Sequence, residues 1–373
     1  MHLESLALTH FRNYASREVG FDPGINLLAA PNGHGKTNLL EAIHFGCLAH
    51  SQRTRKDKEL IEWSAAAFVL RLEGEVAGRP HVQSVEYTEG GHKRVKVNGS
   101  ESRRLSDLIG HFSVVSFSPE DLDLIRGAPQ GRRRFLDILL CQGSLDYLDL
   151  LRRYNAALKQ RNSLLRSFWG GGGTGRPMDR REAEETLKAF DTPLAETGAR
   201  ITAHRRRVLA DLAPLAAACY HDIAAAAEPL EMSLAGAVSE AKDVDSARDE
   251  FLARLAATRV SEREAGSTLC GPHREDLLFF LAGKPLREYG SQGQKRTVSL
   301  SLKLASARLL ESERGAGPIL LLDDVFAELD EGRRGRIGEL IRGKGQVFIA
   351  NPRPADLPFV ADRIISLERE AAE

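Results

Sequence analysis

The chain has 373 residues, 42% of them hydrophobic, enough for two or three domains with a sizeable core and too apolar for a disordered polypeptide. Lysine plus arginine equals aspartate plus glutamate at 52 each, so bulk charge selects no partner and any nucleic acid must be met by local patches. No apolar run is long enough to span a bilayer, "MHLESLALTHFRNY" carries no export signal, and Cys47, Cys141, Cys219 and Cys270 form no C-x-x-C pair; these features predict a cytoplasmic protein without a zinc site.

The first informative stretch is "INLLAAPNGHGKTNLLEAIHFG", Ile25 to Gly46. "INLLAA" suits a buried strand, and Leu39, Leu40, Ile43 and Cys47 recur at helical spacing. The loop between them, Ala30, Pro31, Asn32, Gly33, His34, Gly35, Lys36 and Thr37, follows G-x-x-x-x-G-K-[ST] except that Ala30 replaces the first glycine. Backbone N–H groups of such a loop and its helix start point at phosphates. Lys36 is expected to pair with β and γ phosphates, and the Thr37 hydroxyl to bind Mg²⁺. Alanine can replace the first glycine if φ there is negative.

Farther along, "RTRKDKELI" brings Arg53, Arg55, Lys56 and Lys58 together, and "HVQSVEYTEGGHKRVKVNG" reads as a β-hairpin around Gly-Gly. Basic clusters recur at Lys93, Arg94 and Lys96; at Arg132, Arg133 and Arg134; at Arg152 and Arg153; and at Arg205, Arg206 and Arg207. Each suits phosphate binding without sequence readout, but such a cluster is more often a solvated face or an ion-pair partner. Few aromatics interleave with them, so the pattern predicts duplex-backbone contact rather than base stacking. The segment Arg53 to Lys58 is taken as the DNA-facing one.

From residue 126 the character changes. Tyr147, Leu151, Tyr154, Leu158, Leu165 and Phe168 form one heptad-like stripe, and Leu187, Leu194, Ile201 and Val208 a second. Gly170 to Pro177 breaks the pattern as a flexible turn. The segment predicts an antiparallel helical hairpin whose first helix spans roughly 35 Å. This gives a discontinuous head, residues 1–125 and 265–373, with an inserted arm at 126–264.

Past the arm, Ser291, Gln292, Gly293 and Gln294 precede a helix with Val298, Leu302, Ala305 and Leu309 on one face. A small polar loop at a helix start is a second anion site. A two-fold dimer accounts for both sites if each loop caps the γ-phosphate held by the other subunit. Ile319 to Leu322 forms an apolar strand ending in two carboxylates. Asp323 is expected to join the Mg²⁺ shell and Asp324 to polarise the attacking water. The last strand, Gln346 to Ala350, leads into Asn351.

The segments "LTHFRNY", "PNGHGKTNLLEAI", "RTRKDKELI", "FSPEDLDLIRGAPQGRRRFLD", "GPHREDL", "SQGQKRT" and "LLLDDVFAELD" together resemble the SMC-related ABC-type ATPases of DNA repair and, more closely, the RecF family. The resemblance implies an α/β ABC-type head with a P-loop and mixed sheets plus a helical arm. It implies an ATP- and Mg²⁺-dependent homodimer that binds double-stranded DNA near single-strand gaps. With RecR and RecO such a protein promotes RecA loading, with slow ATP hydrolysis as the switch. It assigns Ser291, Gly293, Gln294 and Asp330 to the dimer interface or the partner's ATP, and Arg12 and Asn13 to the base or α-phosphate. Ala30 departs from the family pattern, and so does Asn351, where related ATPases often carry histidine or threonine. A DNA-binding scaffold with a degenerate ATP site, or a transporter ATPase, remains the alternative.

Overall fold

The computed structural model describes residues 1–102, 104–169, 180–236, 238, 241–326, 329–352 and 357–367. In chain order the elements are β1 (His2–Phe11), β2 (Tyr14–Gly20), β3 (Ile25–Ala29), α1 (Lys36–Leu48), β4 (Ala67–Val76), β5 (Arg79–Thr88), β6 (Lys93–Val97), β7 (Ser100–Ser102) and β8 (Val114–Phe117). There follow α2 (Asp123–Arg126), α3 (Pro129–Gly143), α4 (Leu145–Trp169), α5 (Arg180–Ala224), β9 (Leu230–Ala235), α6 (Val244–Ala257), α7 (Arg259–Ala265), β10 (Asp276–Leu281), β11 (Lys284–Pro285) and α8 (Leu286–Tyr289). The chain closes with α9 (Gln292–Arg314), β12 (Ile319–Asp323), α10 (Glu331–Ile341), β13 (Val347–Asn351) and β14 (Arg363–Ser366).

Two compact units result: residues 1–122, 215–227 and 292–373 form the first, and 123–214 and 228–291 the second. Apart from the first boundary, which falls at 122/123 rather than 125/126, the expected head and arm differ from these units at two places. Residues 265–291, expected in the head, join the second unit because β10 pairs with β9 and β11. Residues 215–227, expected in the arm, join the first, where Arg308 pairs with Asp222 at 3.8 Å and Arg336 Nε donates to Ile223 O at 3.0 Å.

The first unit holds two sheets. One is parallel, in the order β14-β3-β13-β12-β8, and its apolar runs "INLL", "ILLL" and "VFIA" are buried throughout. Continuous burial is expected of parallel strands covered on both faces. The other is antiparallel, β2-β1-β4-β5-β6-β7, and it contains the expected β5–β6 hairpin. In β4, inward Phe68, Leu70 and Leu72 alternate with outward Val69 and Arg71. Helix α1 packs on β12 and β13 and also on β4, where Phe45 meets Phe68 and Phe11 edge-on or tilted. That position between sheets explains why it is buried on nearly every side. Gln346 ties the sheets together: its amide accepts from Leu3 N and donates to Leu3 O, both at 2.7 Å.

In the second unit α4 and α5 pair antiparallel, as the hairpin reading required. Arg205 Nε donates to Tyr147 Oη at 3.2 Å, Gly198 packs against Tyr154, and Arg161 meets Asp191 at 3.0 Å. Each step moves seven residues forward on α4 and seven back on α5, a heptad register. A fully buried arginine, Arg161, occupies the heptad position between Tyr154 and Phe168 that the sequence stripe leaves out. The turn expected over 170–177 lies outside the described residues.

Candidate nucleotide site

Strand β3 ends at Ala29, and the loop to α1 turns on two glycines with positive φ, Gly33 at 83° and Gly35 at 92°. Gly35 is the helix N-cap. A Cβ there would lie 2.5 Å from Tyr14 Oη and 2.7 Å from Asn13 Nδ2, so both φ and space require glycine. Ala30 has no positive φ and is buried, so the missing first glycine costs no backbone strain. The condition set by the sequence is met.

Lys36 is buried, and its Nζ donates to Ala30 O at 2.6 Å, Pro31 O at 3.1 Å and Asn32 Oδ1 at 3.4 Å. The ammonium is thus held over its own loop. Burial pulls its pKa down, and the charges of Asp324 and Asp323 push it back up. Thr37 Oγ1 donates to Asp323 Oδ1 at 3.0 Å, joining residues 286 apart in the chain. Burial raises the Asp323 pKa to about 6, Asp324 and Glu120 adding to the rise and Thr37 opposing it. A cation beside this pair would reverse the shift. The next residue, Asp324, has φ 53°, and its Oδ1 is buried with no hydrogen-bond partner among the described residues. A left-handed non-glycine residue with an orphaned buried oxygen is a candidate for a functional role, strain and an unmet group being tolerated more often at sites than in packing.

Two hollows flank the aspartates. Thr37, Glu41, Gln52, Arg53, Ser118 and Asp323 line one. Ser118, Asp121, Arg296, Ser299 and Asp324 line the other. The 118–122 segment between them is held by α9: Lys303 Nζ pairs with Asp121 at 2.8 Å and Ser299 Oγ donates to Asp121 O at 2.9 Å. Gln52, Ser118 and Glu120 were not singled out in the sequence, because no periodicity or motif brings them to Asp323.

The structure places the remaining candidates differently. Arg12, at φ 56°, spends its guanidinium on Glu41 of α1, with Nε and Nη2 each 2.9 Å from a carboxylate oxygen. Asn13 accepts from Asn38 at 2.7 Å and stands beside Gly35. His34 is half-buried in the loop, its ring Nδ1 3.3 Å from Asn32 O. Ser291 immediately precedes α9, and Gln292, Gly293 and Gln294 open it. Asp330 is the N-cap of α10, accepting from Arg333 N at 2.9 Å. Asn351 is buried as the last residue of β13.

Among the basic clusters, two arginines turn inward. Arg132 is buried against Asp276 at 2.6 Å, and Arg205 is buried between Asp137 and Glu275 at 2.7 and 2.8 Å. Lys93 is partly buried against Asp57 at 2.6 Å. These three are internal ion-pair partners, one of the two alternatives to phosphate contact that the sequence offered for such clusters. Arg55, Lys56 and Lys58 are exposed, and Arg53 reaches back to Asn38 and Glu41 at 3.0 and 3.3 Å.

A parallel sheet whose first strand feeds a glycine loop, with a Thr–Asp pair and a second aspartate at the end of β12, two strands away, defines an ABC-type ATPase head of the SMC-related kind. Residues 2–369 match the family described as RecF/RecN/SMC N terminal domain. The chain belongs to the RecF family. It is 41% identical to the DNA replication and repair protein RecF of Halalkalibacterium halodurans over 352 residues, covering 94% of this chain and 92% of the relative. It is 39% identical to that of Oceanobacillus iheyensis over 356 residues, covering 94% and 93%. A solved structure of the recombination mediator protein RecF with ATP in the RecFOR pathway superposes with a TM-score of 0.89 at 33% identity, covering 98% of this chain and 95% of the other. An Smc head bound to the C-winged helix domain of ScpA shares the fold at a TM-score of 0.55 and 15% identity. No helix among the described residues is long and apolar enough to cross a membrane.

Proposed function

We propose that this protein is an ATP-controlled DNA-binding protein of replication and recombinational repair. It acts as an ATP-dependent homodimer on duplex DNA at single-strand gap junctions. RecR, RecO and, through them, RecA are its expected partners, and hydrolysis is slow. The observation that carries the reading is the Thr37–Asp323 hydrogen bond beside a glycine-built loop, with the orphaned Asp324 oxygen next to it. The donor set fits a nucleotide with Mg²⁺: loop N–H groups and Lys36 for phosphates, Thr37 and Asp323 for the cation.

When bound, ATP with Mg²⁺ supplies the negative charge that Lys36 and the loop are built to receive. Lys36 exchanges its loop carbonyls for phosphate oxygens. Asp324 orients and polarises water. Ser291, Gln292, Gly293 and Gln294 of one subunit, with Asp330 near the crossing, complete the site of the other. The exposed Arg55, Lys56 and Lys58 meet the DNA backbone. Support for coupling comes from Arg53, whose bonds to Asn38 and Glu41 fasten this basic segment to the helix that begins at Lys36.

The test is binding to a gapped duplex at fixed salt with Mg²⁺, with and without ATP, for native protein and Lys36→Met. ATP should tighten native binding, and the variant should lose that gain. Four coincident curves would leave a DNA-binding scaffold whose nucleotide site controls nothing.

A further inference from the structure

Trp63 is the one aromatic among the large hydrophobic side chains exposed in the first unit, counting described residues, and its side chain is fully exposed. A single exposed apolar residue is ordinary by itself. The way this one is held is not. Ala65 N donates to Glu62 O at 3.0 Å, closing a turn with Trp63 and Ser64 at its tip. Glu62 N donates to His10 O at 2.9 Å, and the Glu62 carboxylate meets His10 Nδ1 at 2.7 Å. Just before the turn, Ile61 bridges to Phe11 and Arg12 N donates to Leu60 O at 2.7 Å. The indole therefore stands on a turn fastened to the end of β1, with its faces open.

The same segment carries Arg55, Lys56 and Lys58, all exposed. Lys58 and Trp63 are five residues apart, so their Cα atoms lie within roughly 18 Å. Of the nearby acids, Asp57 is paired with Lys93 at 2.6 Å, Glu62 bonds the His10 ring, and Glu59 accepts from the Thr54 hydroxyl at 2.5 Å and faces Lys56 Nζ at 3.9 Å. Arg55, Lys56 and Lys58 outnumber Glu59 and Glu62, so the segment keeps a net positive charge beside an open π-face. Cations tracking a phosphate backbone next to an aromatic platform are the combination that binds unpaired nucleotides. The sequence pattern had pointed away from stacking because Trp63 lies outside the basic run itself.

We infer that Trp63 stacks on an unpaired base of single-stranded DNA at the edge of a gap, while Arg55, Lys56 and Lys58 hold the adjoining backbone. This rests on the DNA-binding reading above and adds what distinguishes a gap from plain duplex. In a duplex the bases are already stacked, so the indole gains a partner only where a strand is single.

The experiment uses the full chain carrying Trp169→Phe, which leaves Trp63 as the sole tryptophan. Indole emission and the anisotropy of labelled DNA are read together, with ATP and Mg²⁺, against a single strand, a gapped duplex and an end-closed duplex. Single-stranded and gapped DNA should quench the emission, and the end-closed duplex should bind without quenching. Adding Trp63→Phe should keep most of the affinity for gapped DNA, and Trp63→Ala should lower it about tenfold, the scale of one stacked base. Binding to the end-closed duplex should be the same for both. Equal anisotropy curves for Trp63→Ala and its parent on gapped DNA, with unchanged emission, would overturn the stacking role and leave the DNA-binding reading intact. Absence of binding to all three DNAs would overturn both.

Discussion

The nucleotide site and the base of the arm both bury charge, and they treat it in opposite ways. In the second unit, Arg161 is fully buried and meets Asp191 at 3.0 Å, Glu262 at 2.6 Å and the Thr268 hydroxyl at 2.8 Å. Arg205 likewise meets Asp137, Glu275, Tyr147 and Pro272 O. Each guanidinium here faces carboxylates of opposite charge, as a structural network requires, although Arg259 Nη1 beside Asp191 keeps no partner among the described residues. Around Thr37 the balance is incomplete: Lys36 meets only neutral oxygens, Asp323 is raised to about 6, and Asp324 keeps an unmet oxygen. Paired charge holds an arm in one shape. Unmet capacity is what a ligand with its own charge can use.

The sharpest way to break this contrast is Arg161→Met. Glu262 has no exposed surface, and the variant leaves its carboxylate without a cation. Removing one partner of a buried pair costs about 3–5 kcal/mol. Denaturant unfolding should show a loss of that size. A loss below 1 kcal/mol would mean that the arm's ion network is as loosely balanced as the nucleotide site.

A smaller effect comes from pH. Burial lowers the pKa of His273 to about 4, and its ring sits between Tyr154 Oη at 2.5 Å and Thr268 O at 3.1 Å. The folded chain thus holds a neutral ring that the unfolded chain protonates near pH 6.5. Stability from this residue is complete above pH 6.5 and is lost as pH falls toward 4. At pH 5 the loss is about 2 kcal/mol. His273→Gln should cost stability at pH 7 and much less at pH 5. The difference between native and variant unfolding free energies at the two pH values measures it, and carboxylates common to both chains cancel.

What could be read from residues alone follows from range. The strand-loop-helix around Lys36 and the strand ending at Asp323 are local patterns of period and punctuation, and the structure holds them where expected. The heptad stripes on α4 and α5 were legible for the same reason. Arg161 was not, because a buried arginine at a stripe position looks like a solvated interruption until Asp191 and Glu262 arrive from elsewhere in the chain. The bidentate Arg12–Glu41 pair and the approach of Gln52 and Glu120 to Asp323 are equally non-local. Trp63 was passed over because exposure is a property of the whole surface, and no spacing announces it.

The finest distinction lies inside the loop itself, between a glycine that is present and one that is missing. Gly35→Ala places a Cβ 2.5 Å from Tyr14 Oη at a φ of 92°, so either the loop or the β1–β2 turn must move. Strain of this kind costs about 1–3 kcal/mol. Because the displaced N–H groups are those aimed at phosphate, ATP affinity should fall tenfold or more by equilibrium titration. Ala30→Gly restores the family residue and should do little. Ala30 has no positive φ, its carbonyl holds Lys36 Nζ at 2.6 Å, and its methyl is buried. Glycine there adds freedom to the unfolded chain and removes a packed methyl, costing about 0.5–1 kcal/mol of stability. ATP affinity should stay within about a factor of two, since the carbonyl is unchanged and no phosphate-facing group moves. A large gain in affinity on restoring the glycine would show that the alanine does distort the loop, and that this member of the family binds nucleotide through a compromised turn.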